Sequence, residues 1–137
     1  MDQNYEGSCL CGKVKYTVKG PFIRFYFCHC SRCRKATGTA HAANIFTRVG
    51  NVTFHSGQSN TKRYDLPEAE RYSRCFCIDC GSPVPYASRD GKLMIVPAGS
   101  LTNFDARKVD NNIFWDNRAA WYEDGIAAAR KTESEMK

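Results

Sequence analysis

The sequence predicts a mainly β chain organised around metal-binding cysteines, and three observations carry that reading. Apolar and polar residues alternate with period two through the middle of the chain, as half-buried strands require. Glycine and proline punctuate those runs at short intervals. Seven of the eight cysteines fall into three tight groups: Cys9 and Cys11 in SCLCG, Cys28, Cys30 and Cys33 in FCHCSRC, and Cys77 and Cys80 in FCIDCG.

Taken in order, Lys13 to Val18 (KVKYTV) alternates charged with apolar residues and reads as a strand. Gly20 and Pro21 end it, and Phe22 to Phe27 (FIRFYF) makes a second strand that enters the middle cysteine cluster. After Cys33, RKATG suits one helical turn closed at Gly38, where a left-handed cap residue costs little. Further strands are expected at His41 to Thr47, Val52 to His55, Thr61 to Leu66 and Tyr72 to Phe76, separated by Gly50, Gly57 and Pro67. Val84 to Ala87 and Leu93 to Val96 add two more, joined around the turn residues Arg89, Asp90 and Gly91. Asp110, Asn111 and Asn112 read as a turn. Core packing is the expectation for Phe114, Trp115, Trp121 and Tyr122, because aromatic residues dominate core burial; a pocket wall is the alternative. Only the tail, from about Asp124 to Glu135, has helical composition.

A chain of 137 residues suits one domain, with no repeat or linker to divide it. With 42% hydrophobic residues it lacks the polar bias of a disordered segment, and no run is long enough to span a membrane. The formal charge of +6 is scattered along the chain, which suggests a mild preference for anionic ligands rather than a nucleic-acid partner. The start, MDQNYEGSCL, carries no secretory signal, so a reducing cytoplasm is the expected location and a disulfide framework is disfavoured.

Zinc takes four ligands in a tetrahedron, and one C-x-x-C turn can deliver two of them. Two cysteine pairs close one four-thiolate site, which leaves Cys28, Cys30 and Cys33 as a cluster with only three ligands. A closed site stabilises a fold, whereas a three-ligand site keeps a position for water or substrate. One structural and one reactive zinc are therefore expected. The alternative is a non-catalytic interaction module with two closed sites, Cys75 supplying the eighth thiolate.

A zinc ion held by three thiolates is soft, so a substrate thiolate is a matched fourth ligand and would lose its proton on binding. Beside an aldehyde, that sulfur is set up to form an S-hydroxymethyl adduct or to cleave one. Hydrolysis by zinc hydroxide is disfavoured, because three anionic ligands acidify bound water weakly. Arg32, Arg34 and Lys35 are placed to offset thiolate charge and attract the carboxylates of a glutathione-like thiol, unless they form only a solvated basic turn. His29, between two ligands, is a candidate proton shuttle if it does not point away from the metal. His41 and His55 read as ordinary strand residues.

GSCLCGKVKY, FCHCSRCRKATGTAHAANIF, RCFCIDCGSPV and VPAGSL together resemble the glutathione-dependent formaldehyde-activating enzyme family, which includes the centromere-protein-V domain. The resemblance runs from about Gly7 to Tyr122. It implies coiled antiparallel sheets similar to the zinc-bearing fold of a Rab exchange-factor accessory protein, with a core over 7–122 and a tail over 123–137. It also implies a structural zinc on Cys9, Cys11, Cys77 and Cys80 and a catalytic zinc on Cys28, Cys30 and Cys33. The implied activity is that of a carbon–sulfur lyase, an S-(hydroxymethyl)glutathione synthase acting on formaldehyde with glutathione as the thiol. Partners are then a small thiol and an aldehyde, with no nucleic acid or membrane, and a homodimer is compatible with the sequence. Two departures stand out: Cys75 has no family counterpart, and Ala120 replaces a usual proline.

Overall fold

The computed structural model describes residues 3–136. Its strands are β1 (Asn4–Ser8), β2 (Lys15–Lys19), β3 (Arg24–Cys28), β4 (Ala42–Arg48), β5 (Val52–Ser56), β6 (Thr61–Asp65), β7 (Ser73–Cys77), β8 (Pro83–Val84), β9 (Tyr86–Ala87), β10 (Leu93–Pro97) and β11 (Asn111–Ile113). Two short α-helices, α1 (Ser31–Thr37) and α2 (Tyr122–Ala127), and five single 3-10 turns accompany them among the described residues. The strands form three sheets, ordered β1-β2-β5, β11-β3-β4-β10-β9 and β6-β7-β8. Pairing is antiparallel throughout, except that β11 runs parallel to β3.

The period-two pattern does what it predicts. In β2, Tyr16 and Val18 face inward while Lys15 and Lys19 face solvent, and β1 matches it by burying Tyr5 opposite Val18. The core forms where the three sheets meet: Tyr5, Tyr16 and Val18 come from the first, Ile45 and Val96 from the second, and Cys77 and Val84 from the third. Each such aliphatic side chain contributes about 1.5–3 kcal/mol on burial. Phe104 packs edge-on against Tyr5 and Phe22, with ring centroids 5.0 Å apart in both cases.

Three departures from the sequence reading have physical causes. The segment Asp110–Asn112, expected as a turn, instead leads into and forms β11, because β3 has an open edge that its backbone can pair with. Of the expected tail helix only Tyr122–Ala127 is α-helical; Ala128 is already extended, and a single 3-10 turn follows at Ser134–Met136. Every described residue from Glu123 onward is exposed, so no packing supports a longer helix, and short unsupported helices are marginal in water. Finally, β1 was not anticipated, since its NYEGS sequence carries a single apolar side chain. No helix among the described residues is long and apolar enough to cross a membrane.

Candidate metal centres

Cys9 and Cys11 lie on the loop that leaves β1, Cys77 ends β7, and Cys80 lies on the turn after it. These four sulfurs all lie within 4.8 Å of one another, with Cys9 and Cys11 3.6 Å apart and Cys11 and Cys77 3.8 Å apart. A tetrahedron with sulfurs about 2.3 Å from its centre has edges of about 3.8 Å, so the donor set fits a four-thiolate metal. The two loops are built alike from backbone hydrogen bonds. Cys9 N–H donates to Val14 O (3.0 Å) and Val14 N–H to Cys9 Sγ (3.3 Å); Cys77 N–H donates to Ser82 O (2.9 Å) and Gly81 N–H to Cys77 O (2.8 Å).

Side chains fasten one loop to the other. Lys13 Nζ pairs with Asp79 Oδ2 at 2.9 Å, Asn60 Nδ2 donates to the same oxygen at 2.8 Å, and Leu10 N–H donates to Ser82 Oγ at 3.2 Å. An exposed pair such as Lys13–Asp79 is worth only about 0–1 kcal/mol, so its effect is registration rather than stability. Without a cation the thiols titrate apart: the Ser82 hydroxyl and nearby backbone N–H groups hold Cys80 down at about 5, while Cys11 is pushed up to about 11. Simultaneous ionisation of four such neighbours requires a positive centre among them.

The second group is Cys28, Cys30 and Cys33, whose sulfurs also lie within 4.8 Å of one another. Cys28 ends β3, Cys30 is the extended N-cap of α1, and its Sγ accepts the Cys33 N–H at 3.3 Å. The helix closes at Gly38, as expected: its φ is 68° and its N–H donates to Arg34 O at 2.8 Å. Cys28 and Cys33 are 6% and 5% exposed and Cys30 is half-buried, so a small molecule reaches the group from the Cys30 side. A hydrogen bond with Cys33, aided by the backbone around Cys30, brings Cys28 down to about 6, and the same bond drives Cys33 far up. Among the described residues no fourth Cys, His, Asp or Glu joins this group. Cys75 belongs to neither: it sits in mid-strand between Arg63 of β6 and Val84 of β8, with burial raising its thiol. This placement removes the proposed eighth ligand.

His29 is fully buried beside the three thiols, but its ring nitrogens lie outside their group. Its backbone N–H donates to Ile113 O at 3.0 Å, and its Nε2 bonds Asn112 Oδ1 at 2.9 Å. An amide oxygen only accepts, so Nε2 carries the proton and Nδ1 keeps a lone pair, which has no partner. Around the ring stand Tyr122 (4.8 Å between centroids), His41 (5.0 Å) and Trp115 (5.1 Å), and His41 stacks on Phe27 at 4.0 Å.

The expectation that Phe114, Trp115, Trp121 and Tyr122 pack in the core is therefore corrected. Phe114, Trp115 and Trp121 are 55%, 38% and 56% exposed, and Trp115 and Tyr122 wall the His29 ring. His41, read as an ordinary strand residue, belongs to the same wall, whereas His55 bonds the Thr17 hydroxyl on β2. A left-handed backbone at Phe114 (φ 54°) turns the chain from β11 into this wall.

Two further residues escaped sequence reading. The Tyr72 hydroxyl approaches Arg32 O at 3.5 Å, and burial together with the nearby Cys33 charge raises it to about 12. Arg89, read only as a turn residue, organises the loop that carries Tyr72. Its guanidinium donates to the carbonyls of Leu66 (2.9 Å), Ala69 (2.7 Å) and Tyr72 (2.6 Å) and to Ser73 Oγ (3.1 Å).

Of the basic residues, Arg32 and Lys35 are exposed, and Arg34 Nη1 donates to Asn117 O at 3.2 Å. A cavity of ≈ 230 Å³ opens on this side of α1, lined by Ser31, Arg34, Lys35, Gly38, Thr39 and Trp121. A larger polar depression of ≈ 430 Å³, between Gln3, Glu6, Thr17 and Asn103, holds neither thiol nor imidazole.

Comparison with known proteins agrees with this geometry. A family model described as glutathione-dependent formaldehyde-activating enzyme matches residues 4–117. A protein of Halomonas elongata, provisionally named a glutathione-dependent formaldehyde-activating enzyme, is 29% identical over 125 residues, which cover 86% of this chain and 79% of that one. A crystal structure of a Rhodobacter sphaeroides protein superposes with a TM-score of 0.59 at 25% identity, covering 78% of this chain and 99% of the other.

Proposed function

Because the chain belongs to the glutathione-dependent formaldehyde-activating enzyme family, we propose that it is a zinc-dependent carbon–sulfur lyase or synthase. It joins a thiol such as glutathione to an aldehyde such as formaldehyde, or cleaves the S-hydroxymethyl adduct. The observation that carries this reading is the inequality of the two thiol groups, four sulfurs in one and three in the other. In this reading Cys9, Cys11, Cys77 and Cys80 hold a structural zinc, and Cys28, Cys30 and Cys33 hold a catalytic one. A zinc ion bound by three thiolates supplies a soft positive centre that acidifies a substrate thiol.

The protein's own residues do the rest. Buried Cys28 and Cys33 close the inner side of the group to water, and half-buried Cys30 admits the substrate sulfur. Asn112 keeps the proton of His29 on Nε2, which leaves Nδ1 as the accepting atom for the proton the thiol gives up. Arg32 and Arg34 bring positive charge to the anionic substrate. Overall the thiol S–H breaks, a C–S bond forms and the aldehyde oxygen gains the proton, with no change of oxidation state. Catalysis needs little beyond activation and positioning, since the two reactants already combine in water. Eight unpaired cysteines suit a reducing, cytoplasmic setting.

The test is the exchange between free glutathione and its S-hydroxymethyl adduct, followed by two-dimensional exchange NMR with zinc-loaded protein. Catalytic amounts of protein should accelerate exchange over buffer, and Cys30→Ser should return it to the buffer rate. Exchange unchanged by the native protein would overturn the reading.

A further inference from the structure

We infer that the segment 121–131 pairs antiparallel with the same segment of a second copy of this chain, about a two-fold axis at Ala127. The inference does not depend on the thiol–aldehyde reading.

The fold leaves apolar surface in water here. Trp121 and Ile126 are each 56% exposed, and Phe114 and Trp115, just ahead on the chain, are 55% and 38% exposed. Trp115 meets Tyr122 with ring centroids 6.0 Å apart, which joins the two stretches into one surface. At those exposures the four side chains leave on the order of 400 Å² in water, within the roughly 300–600 Å² of a monomer's largest apolar patch, which is often a contact surface. A standard interface takes about 800 Å² from each partner. The patch supplies about half of that, and residues 123–131, all exposed, supply the rest.

The order of charges names the occupant. Outward from Ala127, Asp124 lies three residues before and Arg130 three after, and Glu123 lies four before and Lys131 four after. Antiparallel pairing about Ala127 therefore sets the acids of each copy against the bases of the other, twice over, as the self-complementary patch of a two-fold dimer requires. Parallel pairing would set like charge on like. Among the described residues Asp124, Arg130 and Lys131 form no ion pair within the chain, and Glu123 reaches only Arg118, at 2.7 Å. Exposed charge pairs add little affinity but fix orientation and register. Between the charges, Gly125, Ala127, Ala128 and Ala129 are too small to hold two backbones apart. Tyr122, the first residue of α2, stands 4.8 Å from His29 between ring centroids, so the pairing also braces the wall beside the three thiols.

The experiment is sedimentation of the zinc-loaded full chain over a range of concentrations, with circular dichroism to show that each variant keeps its fold. The mass is expected to rise from the 15.5 kDa monomer to twice that and no further, with a midpoint on the order of 10–100 µM. Trp121→Ala, which removes the largest apolar anchor, should weaken association roughly tenfold or more. Asp124→Arg and Arg130→Asp each set like charge against like at both ends of the pairing, and each should weaken it roughly tenfold. Mixing those two variants restores opposite charges at both ends and should recover the native affinity in a heterodimer. A chain that stays monomeric up to about 500 µM overturns the inference. So does a dimer indifferent to Trp121→Ala and Asp124→Arg, or a mixture that associates no more tightly than either variant alone.

Discussion

Cys30 and Cys77 carry the same thiol into opposite circumstances. Cys77 is fully buried in the core where the three sheets meet, and Cys30 is half-buried at a helix cap. Cys30→Ser should keep the melting temperature within a few degrees of the native value while abolishing thiol binding, whereas Cys77→Ser should prevent stable folding. Equal loss of thermal stability from both, read by circular dichroism, would contradict the division into an open and a closed site. Asn112→Ala should cost about 1–3 kcal/mol in a urea titration, because it leaves the buried His29 Nε2 proton without an acceptor. A cost near zero would mean that the amide is dispensable. At this scale the two thiol groups were legible in the sequence, since cysteine spacing within a turn is a local property. Asn112 was not, because it meets His29 across 83 residues of sequence and nothing in NNI marks it.

β11 shows what the sequence could not convey about elements. Three residues with two asparagines have no strand signal, and the strand exists because Asp110 clamps it to β3. The carboxylate accepts Phe25 N–H at 2.7 Å and the Arg107 guanidinium at 2.8 and 2.9 Å. These bonds, the Arg107 one first, hold the Asp110 carboxyl below its usual range. A depressed folded-state value means that the contribution is complete above the ordinary carboxylate range, about 3.9, and is lost as the pH falls through the folded value. The stability gap between the native protein and Asp110→Asn should therefore close on acidification below about pH 4, in urea titrations at stepped pH; a gap that widens in acid would refute the clamp. Arg89 acts likewise on the loop over 66–72. Arg89→Met should destabilise the protein by about 2–3 kcal/mol and raise amide exchange in that loop, since several charge-assisted bonds are lost together. By contrast, β2 through β7 and β10 were readable as short runs bounded by glycine and proline, and in β2 the alternation also gives the inward face. The tail helix was over-read, since composition reports propensity while α2 has almost no packing to extend it.

For the whole molecule, the four-thiol group is a joint between the first and third sheets, and the three-thiol group hangs from the second. Gly57 shows how closely the joint is built: with φ 75°, a Cβ there would lie 2.1 Å from Lys13 O, so Gly57→Ala should loosen the first knuckle and lower the melting temperature. Two equivalents of metal per chain are expected, the first released from the three-thiol group with the fold intact and the second with cooperative unfolding. The sequence announced both clusters, but the wall of Trp115, Tyr122 and His41 and the cavity beside Trp121 come from three distant segments and only the fold assembles them. The central claim is that one metal centre is open to a thiol and the other is closed. Its most direct test is a glutathione titration of cobalt-substituted protein, followed through the cobalt–thiolate absorption bands. A saturable shift of about half the signal is the predicted result, and bands that respond to no thiol would contradict it.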